Sequence, residues 1–196
     1  MSQIQYNKIT LININKDLKI RRNALPVLQS KEAALRAETK RIRDRLKEMD
    51  KKIQEKIDAL AGMKRLWCEF PDLVKISDIK LTSKKIASIK VNIVEEVVFT
   101  DISLNLFAHP AWFIQGIEEL KEVIRLKIER LNEEKILEDI EYARRKTTQK
   151  VNLYEKVQIP FFEEAILKIK RFLEDDENLS KSSQKVLKRR MEAACF

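Results

Sequence analysis

A chain of 196 residues is long enough for one domain with a sizeable core, yet it holds only two glycines and four prolines, and 36% of it is charged. So few chain breakers exclude a fold of many short elements and point to few, long helices with a large surface. The net charge is +9, and sixteen basic against eight acidic residues between Lys16 and Arg65 concentrate the surplus on one stretch.

A basic stretch of this kind suits nucleic acid, an anionic membrane or an acidic protein surface, or is simply a solvated helix face. Met1–Asn15 lacks a basic start followed by an apolar block, so no secretory leader is expected. The longest uncharged run, Ile102 to Ile117, is interrupted by Asn105, His109, Pro110 and Gly116. It falls short of the roughly 20 apolar residues that a membrane span needs, so no direct membrane insertion is expected. Two cysteines, Cys68 and Cys195, would lie at opposite ends of paired helical arms, and no bridge between them is expected.

The first arm begins near Tyr6, with Asn7 or Thr10 able to cap it. Leu11, Ile14, Leu18, Leu25, Leu28, Leu35, Ile42, Leu46, Met49, Ile53 and Leu60 then recur at sums of three and four residues. That is a sustained seven-residue repeat, the pattern of a left-handed supercoil. Arg21, Glu32, Thr39 and Lys56 interrupt the stripe with polar side chains, and Pro26 predicts a kink or a restart.

From Gly62 to Gly116 the character changes. Both glycines, both tryptophans and four of eight phenylalanines fall in this window. Ser88–Val94 and Val97–Ile102 are β-branched and partly alternating, which predicts a hairpin turning at Glu95-Glu96. Short helical pieces are expected around Asp72–Ile79. Trp67, Phe99, Phe107, Trp112 and Phe113 are expected to pack the hairpin onto the helix ends.

The second arm starts near Ile114 with Ile117, Leu120, Ile124, Ile128, Leu131, Leu137 and Ile140. It continues through Ala143, Thr147, Val151, Tyr154, Val157, Phe161, Ala165, Ile169 and Phe172 at helical spacing. Pro160 lies inside this pattern and is expected to kink the helix. Asp175-Asp176-Glu177-Asn178 offers a stopping point, before a basic segment from Lys181 to Met191. The reading is an all-α dominated fold, a long antiparallel two-helix coiled coil with a small β-hairpin mid-chain. Its parts are an arm over 1–70, a middle region over 71–113 with short helices and strands at about 88–94 and 97–102, an arm over 114–177 and a basic tail over 178–196.

Catalytic chemistry is absent from this pattern. A phosphate loop needs clustered glycines, and Gly62 and Gly116 are far apart. One histidine, His109, and two isolated cysteines do not make a zinc-ligand set. No catalytic residue, cofactor or metal site is expected.

Val151-Asn152, Glu155, Ile159-Pro160 and the Ile166/Ile169 stripe closing on Leu173-Glu174 resemble the C-terminal helix of the D subunit of V-type and A-type rotary ATPases. Leu25–Leu35 stands where that family carries its N-terminal motif, with Asn23 near an expected glycine and Glu32 near an expected arginine. Ile89–Ile93 is similar to the family's mid-chain strand. The resemblance implies a non-catalytic central-stalk rotor shaft, peripheral on the cytoplasmic side of the membrane. Its termini would enter the ring of A and B subunits, the F subunit would clasp its side, and a socket subunit would join it to the proteolipid ring. On that reading Arg21, Arg22, Lys185, Lys188, Arg189 and Arg190 touch acidic loops of the ring, and Arg144 and Arg145 face either the F subunit or solvent. Two other readings remain at this point: the helical stalk of a flagellar or type III export ATPase, and a basic nucleic-acid-binding coiled coil. The β-branched middle argues against the first, and interleaved acids without exposed aromatic stacking partners argue against the second.

Overall fold

The computed structural model describes residues 5–62, 64–100 and 110–194. The fold is helix-dominated with one two-stranded antiparallel hairpin mid-chain. In chain order the elements are α1 (Lys8–Ala61), α2 (Lys64–Trp67), β1 (Ile76–Ile86), β2 (Ile89–Phe99), α3 (Trp112–Leu153), a π-helical turn (Tyr154–Gln158) and α4 (Ile159–Ala194). Two compact units result. The first takes Met1–Ser30 with Thr147–Phe196, and the second takes Lys31–Lys146.

Helix α1 starts because the Asn7 side chain accepts the Thr10 amide at 2.6 Å, satisfying one of the donors that a helix start leaves open. Its inward positions are those of the seven-residue repeat. Ile14, Leu18, Leu35, Ile42 and Ile53 are buried, with Thr39 among them. The polar positions in the stripe each find a partner. Thr39 donates to the Leu35 carbonyl, Glu32 accepts from Arg36, and Lys56 reaches Glu119 and Glu122. Pro26 neither breaks nor restarts the helix, which runs continuously through it. Both Pro26 and Arg22, whose carbonyl loses its donor, are exposed, so water can take the vacant bond.

In the second unit Leu35, Ile42, Ile136 and Ile140 form one core, and Val91 of β2 seats into it. Ion pairs order the two helices. Arg43 meets Glu141, Arg45 meets Glu133, Asp50 meets Arg130 and Lys56 meets Glu122. As the α1 number rises the α3 number falls, so the pairing is antiparallel. In the first unit Ile14, Leu18, Ala165, Ile166 and Ile169 form a separate core, with the Tyr6 ring tilted against Phe172 at 5.4 Å between centroids and Arg21 over Phe162 at 4.6 Å. The same falling order appears there.

The hairpin sits earlier in the chain than the sequence suggests. Its strands are Ile76–Ile86 and Ile89–Phe99, so the pieces expected as two strands, 88–94 and 97–102, form one strand as far as Phe99. Residues 101 and 102 lie outside the described residues, as do Phe107 and His109. The segment around Asp72–Ile79 is loop and strand rather than helix. The turn is Ala87-Ser88, with φ of 47° and 71°, the left-handed pair that a tight hairpin requires. Glu95-Glu96 is instead an irregularity in the strand. Lys80 pairs with Glu96 and Leu81 with Val94, which leaves Glu95 as the extra residue of a bulge. Of the aromatic residues expected to hold the hairpin, Phe99 at the end of β2 lies under Lys121 and Arg125 of α3, at 5.6 and 5.3 Å from its ring centre. Trp67, Phe70, Trp112 and Phe113 cluster among themselves, and Gly116 leaves them room, since a Cβ there would meet three of those rings at 3.2–3.4 Å. Ile86, Ala87, Ile89, Val91 and Ile93 dock the rest of the hairpin on the helical core.

Two adjacent non-glycine residues with positive φ cost about 1–2 kcal/mol each. Changing Ala87→Asn together with Ser88→Gly is therefore expected to stabilise the chain by about 1 kcal/mol or more. A higher urea midpoint with an unchanged slope checks this.

Candidate functional site

The site is built on the last turns of α4 and depends on what happens ahead of it. At Tyr154–Gln158 the helix widens, and the Ile159 amide donates to the Tyr154 carbonyl, five residues back. A π-turn adds one residue without advancing the helical phase. Upstream, Thr147 is buried and Val151 and Tyr154 are half-buried, as the stripe predicts. Downstream the inward set becomes Gln158, Ile159, Phe162, Ala165, Ile166, Ile169 and Leu173, while Val157, Phe161 and Phe172 face out. Pro160 follows the widened turn directly, where its missing amide and bulky ring are easiest to accommodate. Pro160→Ala is expected to leave the π-turn in place, because the Ala165–Ile169 packing needs that phase. It should raise stability by about 1–3 kcal/mol. Thermal unfolding and hydrogen exchange over 154–166 check both parts.

Past Leu173 the helix does not stop at Asp175–Asn178. It continues to Ala194, helped by an ion pair one turn apart between Lys181 and Glu177 at 2.7 Å. Every described side chain from Glu174 to Glu192 is exposed. Leu179, Val186, Leu187 and Met191 are 69%, 49%, 58% and 71% exposed. At 3.6 residues per turn these four fall within a sector of roughly 140°. Lys185, Lys188 and Arg189 project on the other side, and Arg190 falls among the apolar four. Among the described residues none of these four cations has an ion pair. The end of α4 is thus an amphipathic helix whose apolar face has no cover within the described chain.

The other basic residues singled out from the sequence are placed differently. Arg21 belongs to the helix seam. Its Nε donates to Gln158 at 2.7 Å, Nη1 donates to the Asp17 carbonyl at 3.1 Å, and the guanidinium lies over Phe162. Arg22 pairs with Glu163 at 2.5 Å. Arg145 reaches Glu141 at 3.4 Å, whereas the Nε of Arg144 is buried with no hydrogen-bond partner among the described residues. The cations were visible in the sequence. The apolar face was not, although the 179, 186, 187, 191 spacing carries it.

Carboxylates along both units titrate below their ordinary range. The largest cause in each case is a side-chain hydrogen bond, from Lys80 to Glu96, Lys56 to Glu122, Arg43 to Glu141, Lys168 to Glu164 and Lys181 to Glu177. A lowered folded pKa adds stability above the unfolded value near 4.3 and loses it as pH falls through the folded value. Stability is expected to be level near neutrality and to fall on acidification below about pH 4. Urea midpoints across pH 3–7 check the sign. Among the described residues no group of three or more His, Cys, Asp or Glu could hold a metal, and no helix is long and apolar enough to cross a membrane.

A long capped helix, a mid-chain hairpin and a second long helical stretch with a proline-marked π-turn define a helix-dominated protein with one small β-hairpin. The family of ATP synthase D subunits matches residues 10–189, and the chain belongs to that family. It is 29% identical over 191 residues to the V-type ATP synthase D subunit of Borreliella burgdorferi, covering 96% of this chain and 95% of that protein. The V-type ATP synthase D subunit of Chlamydia muridarum is 26% identical over 197 residues, covering 97% of each. That of Chlamydia pneumoniae is 28% identical over 175 residues, covering 86% of this chain and 83% of the relative. Membership decides for this family over the export-ATPase stalk.

Proposed function

We propose that this chain is the non-catalytic rotor shaft of a V/A-type rotary ATPase, carrying torque between ATP turnover in the A and B subunits and ion translocation. The observation that carries the reading is the end of α4, with four large apolar side chains exposed along one face and basic residues beside them. Apolar side chains aligned along one exposed face, unlike ones scattered singly, mark a surface that another protein covers. A sleeve with an apolar lining and acidic loops at its mouth has the matching chemistry, and the inner surface of an A/B ring supplies the curvature. Lys185, Lys188, Arg189 and Arg190 would meet the acidic loops. Interhelical packing resists twisting where one helix would not, and the π-turn with Pro160 sets the line of the terminal helix. The F subunit and a socket protein at the proteolipid ring complete the assembly, which holds the chain at the membrane without inserting it.

Co-expression with A and B subunits tests this. The chain is expected to co-elute with the ring and to raise its ATP hydrolysis. A ring that assembles while the chain elutes alone would end the proposal.

A further inference from the structure

We infer that a basic groove between α1 and α3, within the second unit, docks an acidic segment of a partner protein. The groove holds about 340 Å³ and is lined by Arg36, Lys40, Arg43, Asp44, Lys47 and Arg144, with Thr39 at its base. Several cations elsewhere on this helix pair are matched by acids across it, as Arg45 is by Glu133, Arg130 by Asp50 and Lys56 by two glutamates. In the groove, unpaired cations gather around one concavity. Arg36 is held by Glu32 and Arg43 by Glu141, but Lys40, Lys47 and Arg144 have no acid partner among the described residues, and Asp44 is the one lining acid.

Arg144 supplies a second, independent observation. Its Nε is shut off from solvent and donates to nothing among the described residues. A buried donor left unmade costs about 1–3 kcal/mol, more on a charged group, and a turn of the side chain that brings it to an arriving acceptor recovers that. A carboxylate also fits guanidinium geometry, since two oxygens can take two parallel N–H donors. Lys40, Asp44 and Lys47 sit four and three residues apart, so they share one face of α1 and present it along the groove.

The chemistry favours a carboxylate-bearing chain over a free phosphate. Phosphate sites are built from clustered backbone amides at a helix start or a glycine loop. This groove lies in the middle of α1 and toward the end of α3, where amides are spent on the helices, and no glycine lines it. Long flexible cations on a helical face suit several acidic side chains in a row. The inference stands on this unit alone and does not depend on the rotor reading.

Fluorescence anisotropy with labelled hexaglutamate and the full chain tests it. Wild-type protein is expected to bind with affinity that falls steeply with salt. Arg144→Gln, and separately Lys40→Glu with Lys47→Glu, should each weaken binding at least tenfold. Lys40 and Lys47 are exposed, so the double variant keeps the fold if Arg144→Gln does not. Charge reversal of Lys185, Lys188, Arg189 and Arg190 serves as the control and should change affinity less than twofold. Groove variants that bind like wild type, loss of binding in the control, or displacement by inorganic phosphate at matched ionic strength would each overturn the inference.

Discussion

Ile169→Ala will cost the chain about 2–5 kcal/mol, while Val157→Ala will cost less than about 0.5 kcal/mol. Both residues lie on the stripe that a uniform helix would bury. Ile169 is 0% exposed, and Val157 is 53% exposed because the π-turn has rotated it outward. A large side chain removed from a closed core loses its transfer energy and leaves a cavity. One removed from the surface loses neither. Ile140→Ala, also at 0% exposure in the other core, should cost as much as Ile169→Ala. The two cores share no residue, so the double variant should be additive within about 0.5 kcal/mol. Urea unfolding followed by circular dichroism measures all four. Equal costs at 157 and 169 would mean that the helix has no phase slip.

The second large effect is on assembly. Leu179→Ser, Val186→Ser, Leu187→Ser and Met191→Ser combined should leave the isolated chain's unfolding midpoint nearly unchanged, because all four side chains are already in water. Binding to an A/B ring is a different matter. Covering one such side chain is worth about 1.5–3 kcal/mol, and tenfold in affinity is about 1.4 kcal/mol. Even partial burial of all four makes the combined variant at least a hundredfold weaker. Reversing Lys185, Lys188, Arg189 and Arg190 should act differently, slowing association and flattening its salt dependence more than it speeds release. Titration of labelled chain into A/B ring separates the two. A ring that binds the serine variant like wild type would move the contact elsewhere on the chain.

Much of this architecture is legible in the residues. The repeat in α1 is read to the residue, including its polar interruptions, because a seven-residue period leaves one set of positions facing a partner. What fails to show has physical reasons. The π-turn adds one residue with no composition signal beyond Pro160, so a fixed period misplaces Val157, Phe161 and Phe172. Strand β1, ISDIKLTSKKI, is almost wholly exposed, so it lacks the apolar alternation that marks a half-buried strand. Its turn, Ala87-Ser88, lacks the Asn, Asp or Gly that positive-φ hairpin turns favour, while the bulge at Glu95-Glu96 imitates a turn. The acidic run at 175–178 looks like a stop but is helical, with Glu177 paired to Lys181. At the candidate site charge was legible and the apolar face was not, since four apolar residues among many lysines read as a basic tail until helical geometry aligns them.

The rotor claim is tested most directly by watching the chain move. A bead attached through a cysteine placed on the exposed face of the hairpin, with A/B ring fixed to a surface, should turn stepwise in one direction when ATP is added and stop when it is removed. ATP hydrolysis by that ring with the bead stationary would contradict the assignment.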